Sequence, residues 1–459
     1  MRLSATTLPS IPAAVTRPAY DREAQAIGIV HFGIGAFHRA HQAMFTDDAM
    51  AGGERDWAIA GVSLRSPAVH AMLAPQDGLY SVAIRGRATA ETRIVGAVRE
   101  VIVATHAPDR LARLLAARET RIVSLTITEK GYLRQPDGTL DLSAAAGGAT
   151  VYAVLVAAFR ARRAAGLPGL TIICCDNLAD NGGVLDGLIR AYLDRYAPDL
   201  LPWFARECAC PATMVDRIVP ATREADREAA GISLGLRDEA AVVTEPFRQW
   251  VIEDRFATPR PGWERVGAQL VGDVRPYETA KLRMLNGAHS ALAYCGLAAG
   301  HRYVHEAVAD PRIRALVERL MRDEAACTVN PAPGQDLAAY ADTLFVRFAN
   351  PALPHGLAQI AMDGSQKIGQ RWLEPLAINH GRGLSCPATL AALAAWIRHA
   401  RGDDGHLDDP MADRLRALWA EAGRDGIAAA LFGRDGLFAA AWQADDAAIE
   451  ALRALLAEA

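Results

Sequence analysis

Over the first 250 residues the apolar positions fall into short β-branched runs separated by amphipathic stretches. Runs at 27–32, 57–62, 121–126 and 170–174 predict strands, and the Ala- and Arg-rich stretches 109–117 and 151–165 predict helices. Strands alternating with helices point to parallel βαβ units. Segment 77–95 departs from this: two alternating runs, 80–84 and 91–95, flank Arg85-Gly86-Arg87 and predict a hairpin-like insertion. After about residue 272 the period becomes helical. It runs through 275–325 with a break near Gly300 and returns at 388–401, 410–422 and 445–458, with no convincing strand. Pro259-Arg-Pro-Gly262 marks a loop shortly before the change. The pattern predicts an α/β domain over 1–272 and a mainly α-helical domain over 273–459.

Composition narrows the function classes. Lys plus Arg is 49 and Asp plus Glu is 53, a net charge of -4, which argues against a general polyanion binder. Hydrophobic residues make up 51% of the 459, enough for a large core. No apolar run reaches the ~18–20 residues of a membrane span, and the Pro-punctuated N-terminus lacks the apolar stretch of a secretory signal. The seven cysteines are odd in number, scattered and without a CxxC pair. A disulfide framework or zinc site is therefore unexpected, and a reduced cytoplasm is the default compartment.

The first candidate chemistry follows the first predicted strand, at Gly33-Ile-Gly35-Ala-Phe-His38-Arg39. A strand, a GxG turn and a helix open a dinucleotide-binding unit. The first Gly permits the tight turn, the second lets a pyrophosphate approach the backbone, and the helix supplies free N–H groups. His38 stands where the third glycine of the fingerprint belongs. The expected acid after the second strand is missing, and Arg65 stands near that point. An Arg there suits a 2′-phosphate, so NAD and NADP both stay open.

Two polar clusters follow. On an ideal helix, with Lys281 at the origin, Glu278, His289 and Asn286 fall at about 60°, 80° and 140°. A base, an acid, an imidazole and an amide then share one side with Leu282, Leu285 and Ala288. Desolvation makes such a Lys a usable base, and an Asn amide can donate to a developing alkoxide. A solvated helix face is the plain alternative. The second cluster, Cys174-Cys-Asp176-Asn177-Leu-Ala-Asp180-Asn181-Gly182, lies where a strand ends and a helix begins. Asp180 is expected to cap that helix while Asn177 points into a cleft. Cys174 and Cys175 read as small buried hydrophobes.

With these residues in view, the sequence resembles the polyol-specific long-chain dehydrogenases/reductases, a family that includes mannitol 2-dehydrogenases and fructuronate reductases (D-mannonate oxidoreductases). The resemblance spans nearly the whole chain. Its motifs are Ile29-Val-His-Phe-Gly-Ile-Gly-Ala-Phe-His-Arg-Ala-His-Gln42, Thr128-Glu-Lys-Gly-Tyr132, Cys175-Asp-Asn177, Thr213-Met-Val-Asp-Arg-Ile-Val-Pro220, Glu245-Pro-Phe-Arg-Gln-Trp-Val-Ile-Glu253 and the spacing of Lys281, Asn286 and His289. It implies a Rossmann-type N-terminal domain, a helical C-terminal domain, NAD or NADP as cofactor and no catalytic metal. Cofactor contacts are expected at Gly33, Gly35, Ala36 and Phe37, and at Arg65 unless it is simply solvated; the resemblance favours NAD. Lys281 is implied as general base and Asn177 and Asn286 as alkoxide donors. His289 is implied as a substrate contact, Glu278 as the gate of a proton path, and Asp216 as a ligand of a substrate hydroxyl. A monomer acting on a small sugar acid or polyol, with no nucleic-acid or membrane partner, completes the expectation.

The segment Asn350-Pro-Ala-Leu-Pro-His355 … Ile360-Ala-Met-Asp-Gly-Ser-Gln-Lys367-Ile-Gly-Gln370-Arg371 is more similar to fructuronate reductases than to mannitol dehydrogenases. Lys367 and Arg371 could pair with a sugar-acid carboxylate, a pairing an Arg fork makes well. Interconversion of D-mannonate and D-fructuronate is thus the first expectation, and a mannitol, arabinitol or sorbitol dehydrogenase the second. A catalytically silent nucleotide-binding protein is the third. The retention of Lys281, Asn286, His289 and Asn177 together argues against it.

Overall fold

A computed structural model describes residues 1–148, 150–402 and 407–457. The chain divides into two compact units, Met1–Val274 and Arg275–Ala459. The strands of the first are β1 (Ile27–Phe32), β2 (Ala58–Ser63), β3 (Tyr80–Arg85), β4 (Ala90–Val95), β5 (Val98–Val103), β6 (Ile122–Leu125), β7 (Thr171–Cys174), β8 (Thr213–Asp216), β9 (Val242–Thr244), β10 (Gln249–Glu253) and β11 (Gln269–Val271). The central sheet runs β5-β2-β1-β6-β7, all parallel. This is the Rossmann-type sheet, and its strand order reverses at β1, where open α/β sheets bind ligands.

Period-two alternation sends the two faces of each strand to different cores. Val30, Phe32, Val123, Leu125 and Ile172 pack on one side with helices Pro108–Ala116, Val151–Ala164 and Asn181–Tyr196. Ile29, Ile59, Val101, Ile122 and Ile173 face the other side, which Trp250 and Trp263 help to fill. Both faces are covered, so the strands read as continuous apolar runs. The expected hairpin forms: β3 and β4 are antiparallel from Tyr80↔Val95 to Arg85↔Ala90. It does not stand alone, because β9 pairs with β3 in a three-stranded sheet. The edge strand β5 was not expected. It begins two residues after β4, and only Gly96-Ala97 separates the two. Two elements that close blur into one run in the pattern. A third sheet, β11-β10-β8, was also unforeseen.

The second unit is built around helix Gly287–Ala298, whose Ala288, Ala291, Leu292 and Ala293 are fully buried. Such a helix is apolar all round because neighbours surround it. The expected helices are present as Pro387–His399, Ala412–Phe432 and Asp446–Ala457. The second runs ten residues past its expected end, through the non-helical Gly423. Glu458, the last residue of the third expected helix, lies outside the described residues. The break near Gly300 is real, with φ +82° there. Among the described residues this unit holds no strand, only the isolated bridge Tyr303↔Gly356. No described helix is long and apolar enough to cross a membrane.

Candidate active site

In the first unit the site begins where β1 ends. Gly33 has φ +93°, and a Cβ there would lie 2.0 Å from the Thr126 carbonyl oxygen. Only glycine fits both the backbone and the space. Gly35 is the opposite case: a Cβ on it would meet nothing nearer than the Gly33 carbonyl oxygen at 3.8 Å. Its backbone is open to a ligand, as close approach of a pyrophosphate requires. The helix that follows is short, Ala36–Ala40, and restarts as Gln42–Ala51 after the irregular His41.

His38 does not leave the fingerprint empty. Its ring stacks on His31 of β1, centroids 3.3 Å apart and planes 14° from parallel. His31 Nδ1 meets the Ser124 hydroxyl at 2.8 Å, and its Nε2 meets Thr126 Oγ1 at 2.9 Å. The Thr126 hydroxyl in turn donates to the Gly33 carbonyl at 2.6 Å. An imidazole plate thus braces the turn that the third glycine would otherwise let pack closely. Burial pushes the His31 pKa down to about 3, so the brace is neutral.

The ends of β1, β2 and β6 open onto a cavity of about 430 Å³, lined by Gly33, Ser63, Arg65, Thr126, Thr128 and Lys130 among others. It lies at the point where the strand order reverses. The Gly33–Gly35 turn, the open backbone and the basic Arg65 and Lys130 suit the pyrophosphate and ribose of a dinucleotide. Thr128, at φ +65°, is held there by a residue the sequence reading gave no role. The Asp176 carboxylate accepts from the Ile127 and Thr128 N–H groups at 2.9 and 3.2 Å and from the Tyr132 hydroxyl at 2.7 Å. Burial raises its pKa, against those three donors. An Asp beside Asn177 carried no signal for this, because its partners lie over forty residues away.

The cap expected at Asp180 is not made. Asp180 adopts φ +47° and its side chain forms no cap bond on helix Asn181–Tyr196. Asn181 instead clamps β8: its amide donates to the Thr213 carbonyl at 2.9 Å and its carbonyl accepts from the Thr213 N–H at 2.8 Å. A bond to a neighbouring strand won over a local cap. Asn177 is exposed on the same loop, and Asp216, 4% exposed, closes β8.

In the second unit, residues 275–298 form one helical rod of three parts: α over Arg275–Ala280, π over Lys281–Asn286 and α again from Gly287. The Gly287 N–H reaches back five residues to the Leu282 carbonyl. This corrects the angular placement above. A five-residue step turns the chain less per residue, so Lys281 and Asn286 stand closer in angle than the ~140° of an uninterrupted α-helix. Glu278 sits one turn before Lys281 in the α part, and all three are half-buried. His289 lies three residues past Asn286 in the second α part and is 9% exposed.

The His289 ring lies against Phe348, 4.7 Å away, and meets His355 edge-on at 5.5 Å. Its Nε2 is buried without a hydrogen-bond partner. Burial first, then the fields of His355, Arg347 and Arg371, hold its pKa well below the ordinary value, so it is neutral. Arg371 comes from a second π segment, Gly369–Leu373. Its Nη1 donates to Ser290 Oγ at 2.7 Å and to the Asn286 carbonyl at 3.4 Å. Trp372 donates its indole N–H to the Gly287 carbonyl at 3.2 Å. Among the described residues Arg371 has no carboxylate partner, and burial lowers its pKa to about 10. Lys367, one turn earlier, is differently employed. Its ammonium donates to the Met362 carbonyl and lies 3.9 Å from Asp363 Oδ2. The two cations that looked equivalent in the sequence are therefore not. His355 and Arg347 were missed altogether: a lone His after a proline and an Arg on an amphipathic helix carry no pattern.

Comparison with known proteins agrees with these two units. The mannitol dehydrogenase Rossmann domain matches residues 27–265, and the mannitol dehydrogenase C-terminal domain matches 273–456. The D-mannonate oxidoreductase of Escherichia coli is 38% identical over 454 residues, covering 95% of this chain and 93% of that protein. A mannitol 2-dehydrogenase of Phaeosphaeria nodorum is 36% identical over 429 residues, covering 89% and 76%. The structure of Pseudomonas fluorescens mannitol 2-dehydrogenase, a ternary complex with NAD and D-mannitol, superposes with a TM-score of 0.85 at 35% identity, covering 100% of this chain and 96% of that one. The chain belongs to the mannitol dehydrogenase family and is a secondary-alcohol oxidoreductase.

Proposed function

We propose that the enzyme interconverts D-mannonate and D-fructuronate with NAD. The observation that carries the substrate is Arg371: a half-buried guanidinium with no carboxylate partner among the described residues, beside His289. Nη1 is engaged, and the remaining edge of the fork is free for a planar carboxylate. A neutral polyol offers it hydroxyl acceptors but no charge to match. The 38% identity to a D-mannonate oxidoreductase supports the same choice.

NAD, when bound, accepts hydride from the carbinol carbon as the alcohol becomes a ketone. Gly33, Gly35, Ala36 and Phe37 would hold its pyrophosphate, with Arg65 near the ribose. The chain's own work is proton and charge management. Lys281, half-buried on a rod rich in apolar residues, takes the hydroxyl proton, and Glu278 one turn away passes it to solvent. The Asn286 and Asn177 amides donate to the oxygen as it gains negative charge. The neutral His289 takes a substrate hydroxyl on its unpartnered Nε2. Asp216 accepts from another hydroxyl.

The alternative is a polyol dehydrogenase, favoured by the backbone match to a mannitol-bound relative. Absorbance at 340 nm over a panel of aldonates and polyols, with NAD and NADP, decides. The proposal expects mannonate with NAD to be the best pair. A mannitol rate equal to or above that of mannonate overturns it.

A further inference from the structure

One polar side chain of the second unit lies within a quoted sequence motif but is given no role by the proposed chemistry. His355 lies on the connection between helices Leu337–Phe348 and Leu357–Ala361. Its backbone is pinned: the His355 carbonyl accepts from the Val304 N–H at 3.0 Å, Gly356 bridges Tyr303, and the Leu357 N–H donates to the Arg302 carbonyl at 3.0 Å. Its ring therefore points where the fold sends it. That place is the edge of His289, 5.5 Å away and nearly perpendicular. His355 Nδ1 is buried without a hydrogen-bond partner, as is His289 Nε2. A neutral imidazole carries one donor and one acceptor, and burying either unpaired is unfavourable. Two adjacent imidazoles short of a partner, one of them in the field of the Arg371 guanidinium, point to one shared ligand. The groups acting on His289 are His355 itself, Arg347 from helix Leu337–Phe348 and Arg371 from Gly369–Leu373; no carboxylate is among them. Such surroundings suit an anionic, hydroxyl-rich molecule and are unfavourable for a cationic one.

We infer that His355 is a specificity-determining residue which, beside His289 and with Arg371, binds the acid end of the substrate. This rests on the reading of the enzyme as acting on a sugar acid. The neutral imidazole donates an N–H to a carboxylate oxygen, while the Arg371 fork takes the charge. A hydrogen bond to a charged group discriminates more than one to a neutral hydroxyl, so His355 should favour an acid over the corresponding alcohol.

The test compares His355→Phe and His355→Gln with the wild type on mannonate and on mannitol. Phe keeps the packing against His289 and removes the donor; Gln keeps a donor. For His355→Phe we expect KM for mannonate to rise about tenfold with kcat within about threefold, and mannitol kinetics to change less than about twofold. The Kd for NADH should stay unchanged, and His355→Gln should recover part of the loss. A mannonate preference that survives His355→Phe overturns the role of His355 alone. So does a loss shared equally by kcat, NADH affinity and both substrates, which would mark His355 as structural. A wild-type enzyme indifferent to mannonate overturns the acid reading itself, and with it this assignment.

Discussion

Two arginines, one fully buried in the first unit and one half-buried in the second, make opposite use of the same side chain. Arg162 in the first unit is fully buried, and its guanidinium donates to the carbonyls of Pro168, Leu115 and Ala117 at 2.8–3.0 Å. It ties the end of helix Val151–Ala164 to the end of helix Pro108–Ala116 and to the loop before β7. Arg371 in the second unit has one nitrogen engaged and, among the described residues, no carboxylate partner. Burial alone therefore says little about function. What separates the two is what the engaged donors do: Arg162 spends Nε and Nη1 on three backbone carbonyls and leaves Nη2 buried without a partner, whereas Arg371 has only Nη1 engaged among the described residues. Lys367 and Arg371 repeat the contrast within one turn of chain.

The comparison can be broken at several points. The largest effect should come from the chemistry beside Arg371. Lys281→Met is expected to lower kcat by about 10²–10⁴, the range for a general base, with NADH binding kept. Turnover within tenfold of wild type would mean that the base lies elsewhere. Next, Arg162→Met should destabilise the protein by about 2–3 kcal/mol in urea, since three buried carbonyls lose their donor. Activity per folded molecule should not change. A loss of activity without a loss of stability would reverse the assignment. Arg371→Gln should do the converse. We expect kcat/KM for mannonate to fall about 10–100-fold, the value of hydrogen bonds to a charge, with stability altered by less than about 1 kcal/mol.

The remaining effect is a pH dependence. His31 and His41 are neutral in the folded state, both with pKa values near 3 because burial disfavours the charged ring. Unfolded, each titrates near 6.5. The unfolded chain therefore binds more protons below about pH 6.5, and stability is lost as pH falls from there toward 3. The slope per histidine approaches about 1.4 kcal/mol per pH unit. Urea midpoints between pH 7 and 5 should fall for wild type and fall less for His31→Asn. Equal slopes would place the titration elsewhere.

Most of the central sheet was legible because its strands are long apolar runs bounded by glycine or polar turns, as at Ile27–Phe32 before Gly33. β5 was hidden by its nearness to β4. The triad of Lys281, Asn286 and His289 was legible as a set of residue types at a fixed spacing. Its angular arrangement was not, because residue spacing does not distinguish a π from an α segment, and the groups that meet its end, Arg371 and Trp372, lie some eighty residues downstream. The same holds for Asp176, Asn181 and His355, whose partners are remote in sequence. Local pattern names the actors of a site, while tertiary contacts decide which of them have unengaged atoms.

The π segment Lys281–Asn286 also constrains how the gene can change. Adding one further residue there would rotate everything upstream relative to everything downstream by about 100°. Lys281 and Glu278 would then swing away from Asn286 and His289 even though every side chain survived. Substitutions at Leu282 or Arg283 leave that geometry intact. The segment should therefore tolerate changes of letter far better than changes of length, the reverse of what holds for a surface loop.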